Sequence, residues 1–346
     1  MPKALTALKE EIQIGNESTP GTAVAAVDAI LGTITAPYTS RQLHWPEDDR
    51  GSLAANFGNE FKVADETELN ISMRLADIWA PWVFGTSIRG NITATQPDAT
   101  NEPLAYLWTY QGGLTTGNTP DITNGIDTLT IEYGDNLDSY EVPYCFTTTL
   151  VITGAPNEPV MVDWTLTGAA VAVGNTSTAA ITVSSAQYFP SNKCSFYIDA
   201  NYAAIGGSAK ADLLMGWTWT LETTFTPRFT ASGTYPYAGV NEDRKKVVLK
   251  LEYARGTLSE VEKAKHQANT TTYLRIKCVG DTEIDSAQSN PPYVYLDGAF
   301  HYTEWPEPSD SDGQLTETVT AESVYDATGT RDFEVAVFNS LAAYPS

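Results

Sequence analysis

The end of the chain constrains the fold most. Tyr293-Val-Tyr-Leu-Asp-Gly-Ala-Phe-His-Tyr-Thr-Glu-Trp305 is rich in β-branched and aromatic residues and stops at a proline. Pro306-Glu-Pro-Ser-Asp-Ser-Asp-Gly313 is a loop of turn formers and carboxylates. Beyond it, Leu315, Val319, Ala321 and Tyr325 alternate with Thr316, Thr318, Thr320 and Glu322. A period of two gives a strand one apolar and one polar face. Arg331 to Asn339 follows, with Phe333, Val335 and Val337 on one face. A weaker copy of this hairpin spans Cys145 to Gly168, around the turn Ala155-Pro-Asn-Glu-Pro159. A hairpin pattern met twice predicts a mainly β chain with minor helix, built from one β unit used twice.

The order of elements repeats as well. Residues 1 to 14 have weak helical character, and Gly15 to Ala25 is a turn-rich run of small residues. Thr35-Ala-Pro-Tyr-Thr-Ser40 starts a strand, and the loop 42–60 follows it. Phe61 to Met73 is a strand, and Leu75, Ile78, Trp79, Trp82 and Val83 are spaced as an amphipathic helix, which Pro81 shortens and Gly85 ends. In the second half, Phe225-Thr-Pro-Arg-Phe-Thr-Ala-Ser232 echoes the segment from Thr35. A loop with Tyr235 and Tyr237 comes next, then a strand from Lys245 to Ala254. Thr257-Leu-Ser-Glu260 reads as a capping box opening a helix over 257–268, with Asn269 suited to end it. The expected division is 1–175, with an N-terminal arm and the loop 42–60, and 176–346, with the helix 257–268 and the closing hairpin 293–339.

Charge narrows the function classes. The net charge is −23, which opposes binding of a polyanion such as DNA, because such binding needs Lys and Arg to displace counterions. No Lys or Arg lies between Arg89 and Lys193, or between Lys277 and Arg331, whereas half of the basic residues fall from Arg228 to Lys277. Surfaces built from the barren stretches are expected to carry one sign. Solubility by self-repulsion accounts for this, and composition favours it; a surface kept slippery towards another polyanion accounts for it too. Nothing in Met1 to Glu10 matches a signal peptide, and no run of about 18 apolar residues predicts a membrane span.

Catalytic signatures are missing. GxSxG, HExxH, GxGxxG and the P-loop pattern do not occur. His44, His266 and His301 have no ligand spacing, and Asp310-Ser-Asp312-Gly313 fails the EF-hand frame and reads as a turn. Cys145, Cys194 and Cys278 lie far apart without CxxC spacing and read as buried free thiols. The expectation is a non-enzymatic protein with no cofactor and no metal. The aromatic content suits a sugar-binding groove, and equally β-sandwich cores and subunit seams. The alternative reading is therefore a carbohydrate-binding β-sandwich module of a phage or bacterial adhesin.

Three stretches resemble a known family. Gly15-Asn-Glu-Ser-Thr-Pro-Gly-Thr-Ala-Val-Ala25 resembles the N-terminal segment of tail tube proteins of long-tailed bacteriophages, which often run E-x-T/S-x-G-T-A-x-A. The hairpin Thr148 to Gly168 and the run Ala321 to Asn339 are similar to that family too. The resemblance implies a β-sandwich or barrel-like unit flanked by a helix. It implies a virion protein, assembled in the host cytoplasm, whose rings stack into a hollow tail tube without membrane contact. Two fused units imply a trimer with pseudo-six-fold symmetry, and otherwise a hexamer. Its implied partners are itself, a tape measure protein, and the tail terminator and distal tail proteins. DNA crosses the lumen without specific binding. On that basis His44, Trp45, Glu47, Asp48, Asp49, Leu53, Phe57, Tyr235, Tyr237, Arg244, Lys245 and Lys246 are candidates for contacts between subunits or rings. Thr316, Thr318, Thr320 and Glu322 are candidates for the lumen.

Overall fold

The computed structural model describes residues 11–36, 41–44, 61–112, 114–115, 119–120, 125–134, 138–174, 178, 181, 183–210, 213–223, 225–231, 239–242, 244–284, 290–311 and 313–344. Side chains are described for these except at 41–44, 61–64, 114–115, 119–120 and 311. The described residues are mostly strand, with two α-helices among them. The first half contributes β1 (Glu11–Asn16), β2 (Asp28–Ile30), β3 (Gly32–Thr35), β4 (Arg41–His44), β5 (Phe61–Asp65), β6 (Thr67–Arg74), α1 (Ala80–Ser87), β7 (Tyr106–Gln111), β8 (Leu114–Thr115), β9 (Thr119–Pro120), β10 (Leu129–Gly134), β11 (Ser139–Gly154), β12 (Met161–Gly168) and β13 (Ala172–Val173). The second half contributes β14 (Cys194–Asp199), β15 (Leu214–Glu222), β16 (Thr226–Arg228), β17 (Gly239–Asn241), β18 (Lys246–Ala254), α2 (Thr257–Gln267), β19 (Thr272–Val279), β20 (Tyr293–Glu304), β21 (Ser309–Ser311), β22 (Gln314–Ser323) and β23 (Phe333–Asn339).

One pairing scheme occurs twice. In the first half β3 pairs with β6, β6 with β12, and β12 with β11. In the second half β15 pairs with β18, β18 with β22, and β22 with β20. The long strands β11 and β20 then leave this sheet and enter a second one. There β11 pairs with β10 and β13, and β10 with β1. Correspondingly, β20 pairs with β19 and β23, and β19 with β14. The hairpins β4–β5 and β16–β17 sit at matching places, and each helix follows the matching strand, β6 or β18. All of these pairings are antiparallel, and seventeen strands join in one sheet.

Both halves meet in that sheet. β11 pairs with β15 along 149–154 and 217–222, which gives the order β3-β6-β12-β11-β15-β18-β22-β20. Alternation sends Leu69, Ile71, Val162, Trp164, Leu150, Ile152, Trp219, Leu221, Leu249, Leu251, Val319 and Ala321 to one face, into a single apolar core. The last strand, β23, pairs with β7 of the first half. Trp219 stands edge-on to Phe333, with centroids 6.3 Å apart, a geometry worth about 0.5–1.5 kcal/mol beyond area burial.

Several local expectations change. Residues 11–14 belong to β1, and Ile12 and Ile14 are in the core, so that part of the weakly helical stretch is strand. Pro81 does not shorten α1; it stands in its first turn, where the missing N–H costs no hydrogen bond. Gly85 lies inside α1, which runs on to Ser87. All eight residues of α1 are buried, and Thr86 and Ser87 return their hydroxyls to Val83 O, at 3.1 and 2.6 Å. That makes α1 a core helix, apolar around its circumference, where a one-faced helix was expected. α2 begins at Thr257, where the helix was expected, but its cap is one residue earlier than Thr257. Gly256 is its N-cap, and its N–H donates to Ser259 Oγ at 3.0 Å. Asn269 ends α2 in the left-handed region, at φ 50°, and Asn tolerates that region better than most residues.

Asp77 fixes the approach to α1. Its Oδ1 accepts from Gln187 N at 2.8 Å, and its carbonyl accepts from Asn339 Nδ2 at 2.8 Å. Burial pushes its carboxyl from the ordinary 3.8 up to about 6, against the pull of backbone N–H groups of Gln187, Ile78 and Asp77 itself. Folded Asp77 therefore holds its proton more tightly than the unfolded chain does, and stability falls as pH rises from 3.8 towards 6. The full cost above that range is about 3 kcal/mol. Asp77→Asn keeps the acceptor oxygen and is expected to be more stable than the parent at pH 7–8. Urea unfolding between pH 4 and 8 should show the difference shrinking on the acid side; a pH-independent difference would refute the assignment.

Candidate assembly surfaces

The large sheet presents one open face. Its described side chains include Thr33 and Thr35 of β3, Thr165 of β12, Thr149 and Thr153 of β11, Thr218 and Thr220 of β15, and Thr318 and Thr320 of β22. Charges lie among these threonines. Glu68, Asp163, Glu222, Glu252, Glu304 and Glu322 outnumber Arg74, Lys246 and Lys250. Short polar links cross the strands: Ser72 Oγ donates to Asp163 Oδ1 at 2.6 Å, and Thr165 Oγ to Asn70 Oδ1 at 2.8 Å.

The lumen candidates all belong to β22, and they are not equally open. Thr318 is exposed and Thr320 is half-buried, its Oγ donating to Glu304 Oε2 at 3.2 Å. Thr316 is only 2% exposed. Glu322 is ion-paired with Lys246 at 2.7 Å. The expectation of a single-signed surface from the Lys- and Arg-free stretch therefore fails here. β22 lies beside β18, so Lys246 is next to Glu322, and Lys250 is opposite Thr320. Alternation tells which face a residue takes; it does not tell which strand lies alongside. The apolar reading of the other β22 face also changes: Leu315 is exposed, and Glu317 points inward among the apolar residues.

The contact candidates divide three ways. Trp45, Glu47, Asp48, Asp49, Leu53, Phe57, Tyr235 and Tyr237 lie outside the described residues. His44, read as a loop residue, is in β4, where it pairs with Phe61, so the connection after β4 starts later than the expected loop 42–60. Arg244 is exposed. Lys245 turns inward: its Nζ donates to Ile88 O at 2.7 Å, pairs with Glu242 at 2.5 Å and sits 5.1 Å from the Phe225 ring centre. Burial pulls its ammonium below the ordinary value, and Glu242 pulls it back. Lys245 is thus committed within the chain. Period two separates Lys245 from Lys246, which is the signal that distinguishes them.

Two features have no counterpart in the sequence reading. Leu258 and Val261 of α2 are 42% and 52% exposed, and Leu315 is 52% exposed, beside the start of α2, where its carbonyl accepts from Arg255 N at 2.9 Å. The second feature is Glu17. Its carboxylate is buried and accepts from Gly21 N (2.7 Å), Tyr144 N (2.7 Å), Thr128 Oγ (2.8 Å) and Thr130 Oγ (3.0 Å). Tyr144 has φ 60° and stands where the pairing of β11 with β10 slips register. Gly21, at φ 81°, lies so close to the Tyr144 ring that a Cβ would be 2.8 Å from it. The motif from Glu17 to Ala25 thereby ties the N-terminal segment to the corner of β11.

Other groups are settled locally. His266 Nδ1 lies 2.8 Å from Tyr302 O, and His301 Nε2 lies 2.7 Å from Thr271 Oγ. Asp310 Oδ1 accepts from Gly313 N at 2.8 Å, as in a turn. Cys194 and Cys278, distant in sequence, are opposite each other on β14 and β19, and Cys194 is only half-buried. Tyr293 stacks on Tyr295 and Phe338 at 4.4 and 4.7 Å, with Arg275 4.1 Å from the Tyr295 ring centre and Lys277 5.2 Å from both tyrosines. Among the described residues no His, Cys, Asp and Glu cluster suits a metal, and no helix is long and apolar enough to cross a membrane.

Replacing Glu17 by Ala would leave Tyr144 N–H, Gly21 N–H and two threonine hydroxyls without their acceptor. The expected loss is about 3 kcal/mol, read as a lower urea midpoint, with Glu17→Gln in between. An unchanged midpoint for Glu17→Ala would show that water replaces the carboxylate. No protein-family model matches the chain, and no curated protein matches its sequence.

Proposed function

We propose that the chain is a structural, non-enzymatic subunit that self-assembles into rings, of the phage tail tube kind: two fused β-sandwich units per chain, with rings stacked into a conduit for DNA. The observation that carries this reading is the doubled pairing scheme and the edges it leaves. Inside the chain, β11 of the first copy pairs with β15 of the second. The strand that corresponds to β11 is β20, whose residues 301–304 have β22 on one side and no strand on the other among the described residues. The strand that corresponds to β15 is β3, which pairs only with β6 among them. The internal junction, repeated between β20 of one subunit and β3 of the next, extends the sheet from chain to chain. Open edges are templates for such pairing. A subunit with two copies favours a trimeric ring with pseudo-six-fold symmetry over a hexamer.

The threonine-rich face supports the conduit. Its acidic excess repels phosphates, and its short hydroxyl side chains give DNA few cations to grip. A tape measure protein would fill the lumen before DNA, and terminator and distal tail proteins would meet the two ends. The carbohydrate-binding alternative needs an aromatic row free to stack on a sugar, whereas the rings of Tyr293 and Tyr295 already carry Arg275 and Lys277.

Electron microscopy of the purified protein at rising concentration is expected to show rings and short tubes. A species that stays monomeric, alone and with its tail partners, would overturn the proposal. Deleting Trp45 to Phe57 should leave the circular dichroism spectrum unchanged while rings stop stacking; loss of the β signal would place that segment in the fold.

A further inference from the structure

We propose that Cys194 and Cys278 form a reversible thiol–disulfide site whose co-reactant is a small disulfide such as oxidised glutathione. The pairing register places the two residues directly opposite each other on antiparallel β14 and β19. Opposed residues in antiparallel strands have Cα atoms about 4.5–5.5 Å apart, inside the roughly 4.4–6.8 Å that a disulfide spans. Both side chains take the same side, and Cys194 Sγ donates to Cys278 Sγ at 3.0 Å. Both are free thiols. Closing the bond therefore asks for side-chain rotation and no movement of the strands.

The two sulfurs are not equivalent. Cys278 is buried, and both its neighbour and its burial push its thiol well above the ordinary range. Cys194 is half-buried and lines a cavity of about 550 Å³ beside the turn that joins β11 to β12. Lys210, Asn157, Asn192 and Ser195 share that lining and suit the carboxylates and amides of a glutathionyl group. Access thus assigns the order of events. The Cys194 thiolate attacks one sulfur of the small disulfide, forms the mixed disulfide and expels one thiolate. Cys278 then gives up its proton to the expelled thiolate and attacks Cys194 Sγ, releasing the second small thiol. Two protein thiols and one small disulfide become one cystine and two small thiols, and two electrons pass from the protein to the co-reactant.

The bond would close a segment of 84 residues and pin β14, which pairs with β19 alone among the named strands, to the body of the sheet. The inference rests on β14, β19 and the cavity, so it stands apart from the assembly reading.

Mass spectrometry of the full-length protein after incubation with oxidised glutathione, followed by alkylation under denaturing conditions, tests it. The expected product has lost two hydrogens, carries one alkyl group at Cys145 and yields a linked Cys194–Cys278 peptide pair. Its melting temperature should rise and return on adding dithiothreitol. Cys278→Ser should stop at a glutathionyl group on Cys194, and Cys194→Ser should take neither modification. A wild-type chain that retains a stable glutathionyl group on Cys194 without closing, or one in which all thiols remain alkylatable, would overturn the proposal.

Discussion

The rest of the structure depends on the seam between β11 and β15. There Leu150 stands opposite Leu221 and Ile152 opposite Trp219, with hydrogen bonds running the length of the contact. Gly154 stands opposite Trp217, and any Cβ on it would collide with the indole. The seam turns two four-stranded sheets into one of eight, and two thin apolar layers into a common core. Twisted strands with one apolar face must bury it against another layer. Eight of them, with the buried helix α1 and large aromatics behind, supply enough apolar depth to bury Trp79, Trp82, Trp108, Trp164 and Trp219 completely.

Long strands make the corners. β11 has 16 residues and β20 has 12, and each serves two sheets in turn. Each change of partner comes with a slip in register, near Tyr144 and at Thr147–Thr149 in β11 and between Tyr302 and Glu304 in β20. Bulges increase local twist and bend a strand without ending it. At the first corner the bend is held by a buried carboxylate, Glu17, which fills its acceptor sites with two backbone N–H groups and two hydroxyls. The repeat of architecture thus does not need a repeat of sequence. It needs a bulge at the same place and apolar residues at the same parity.

Strand existence was legible because a half-buried strand writes itself as alternation. β12, β18, β20, β22 and β23 all lie within a few residues of where their patterns put them. α1 was legible as a helix but misplaced, because a helix buried all round has no polar face to mark its start, and Pro81 reads equally as a breaker or a first-turn residue. The candidate surfaces were less legible, for a different reason. Whether Glu322 meets a cation depends on β18 lying beside it, and that neighbour is a matter of long-range pairing. Lys245 and Lys246 look alike in composition and differ only in parity. Glu17 looked like a loop carboxylate; its role depends on Thr128, Thr130 and Tyr144, more than 110 residues away. Cys194 and Cys278 meet only because β14 adds to the edge of β19.

The pairing of β23 with β7 bears on when the molecule can finish folding. β7 lies in the first half, yet its neighbour in the sheet is the last strand, and Trp108 Nε1 donates to Asn339 Oδ1 across 231 residues. During synthesis β7 leaves the ribosome with an unsatisfied edge and an unhoused indole, long before β23 exists. Loop closure over such a distance is slow, and an open edge in the interval is a hazard. The first half does not close this edge by itself; β7 is paired only when residues 334–339 have been made. This order of events delays a fully paired sheet until β23 has been synthesised.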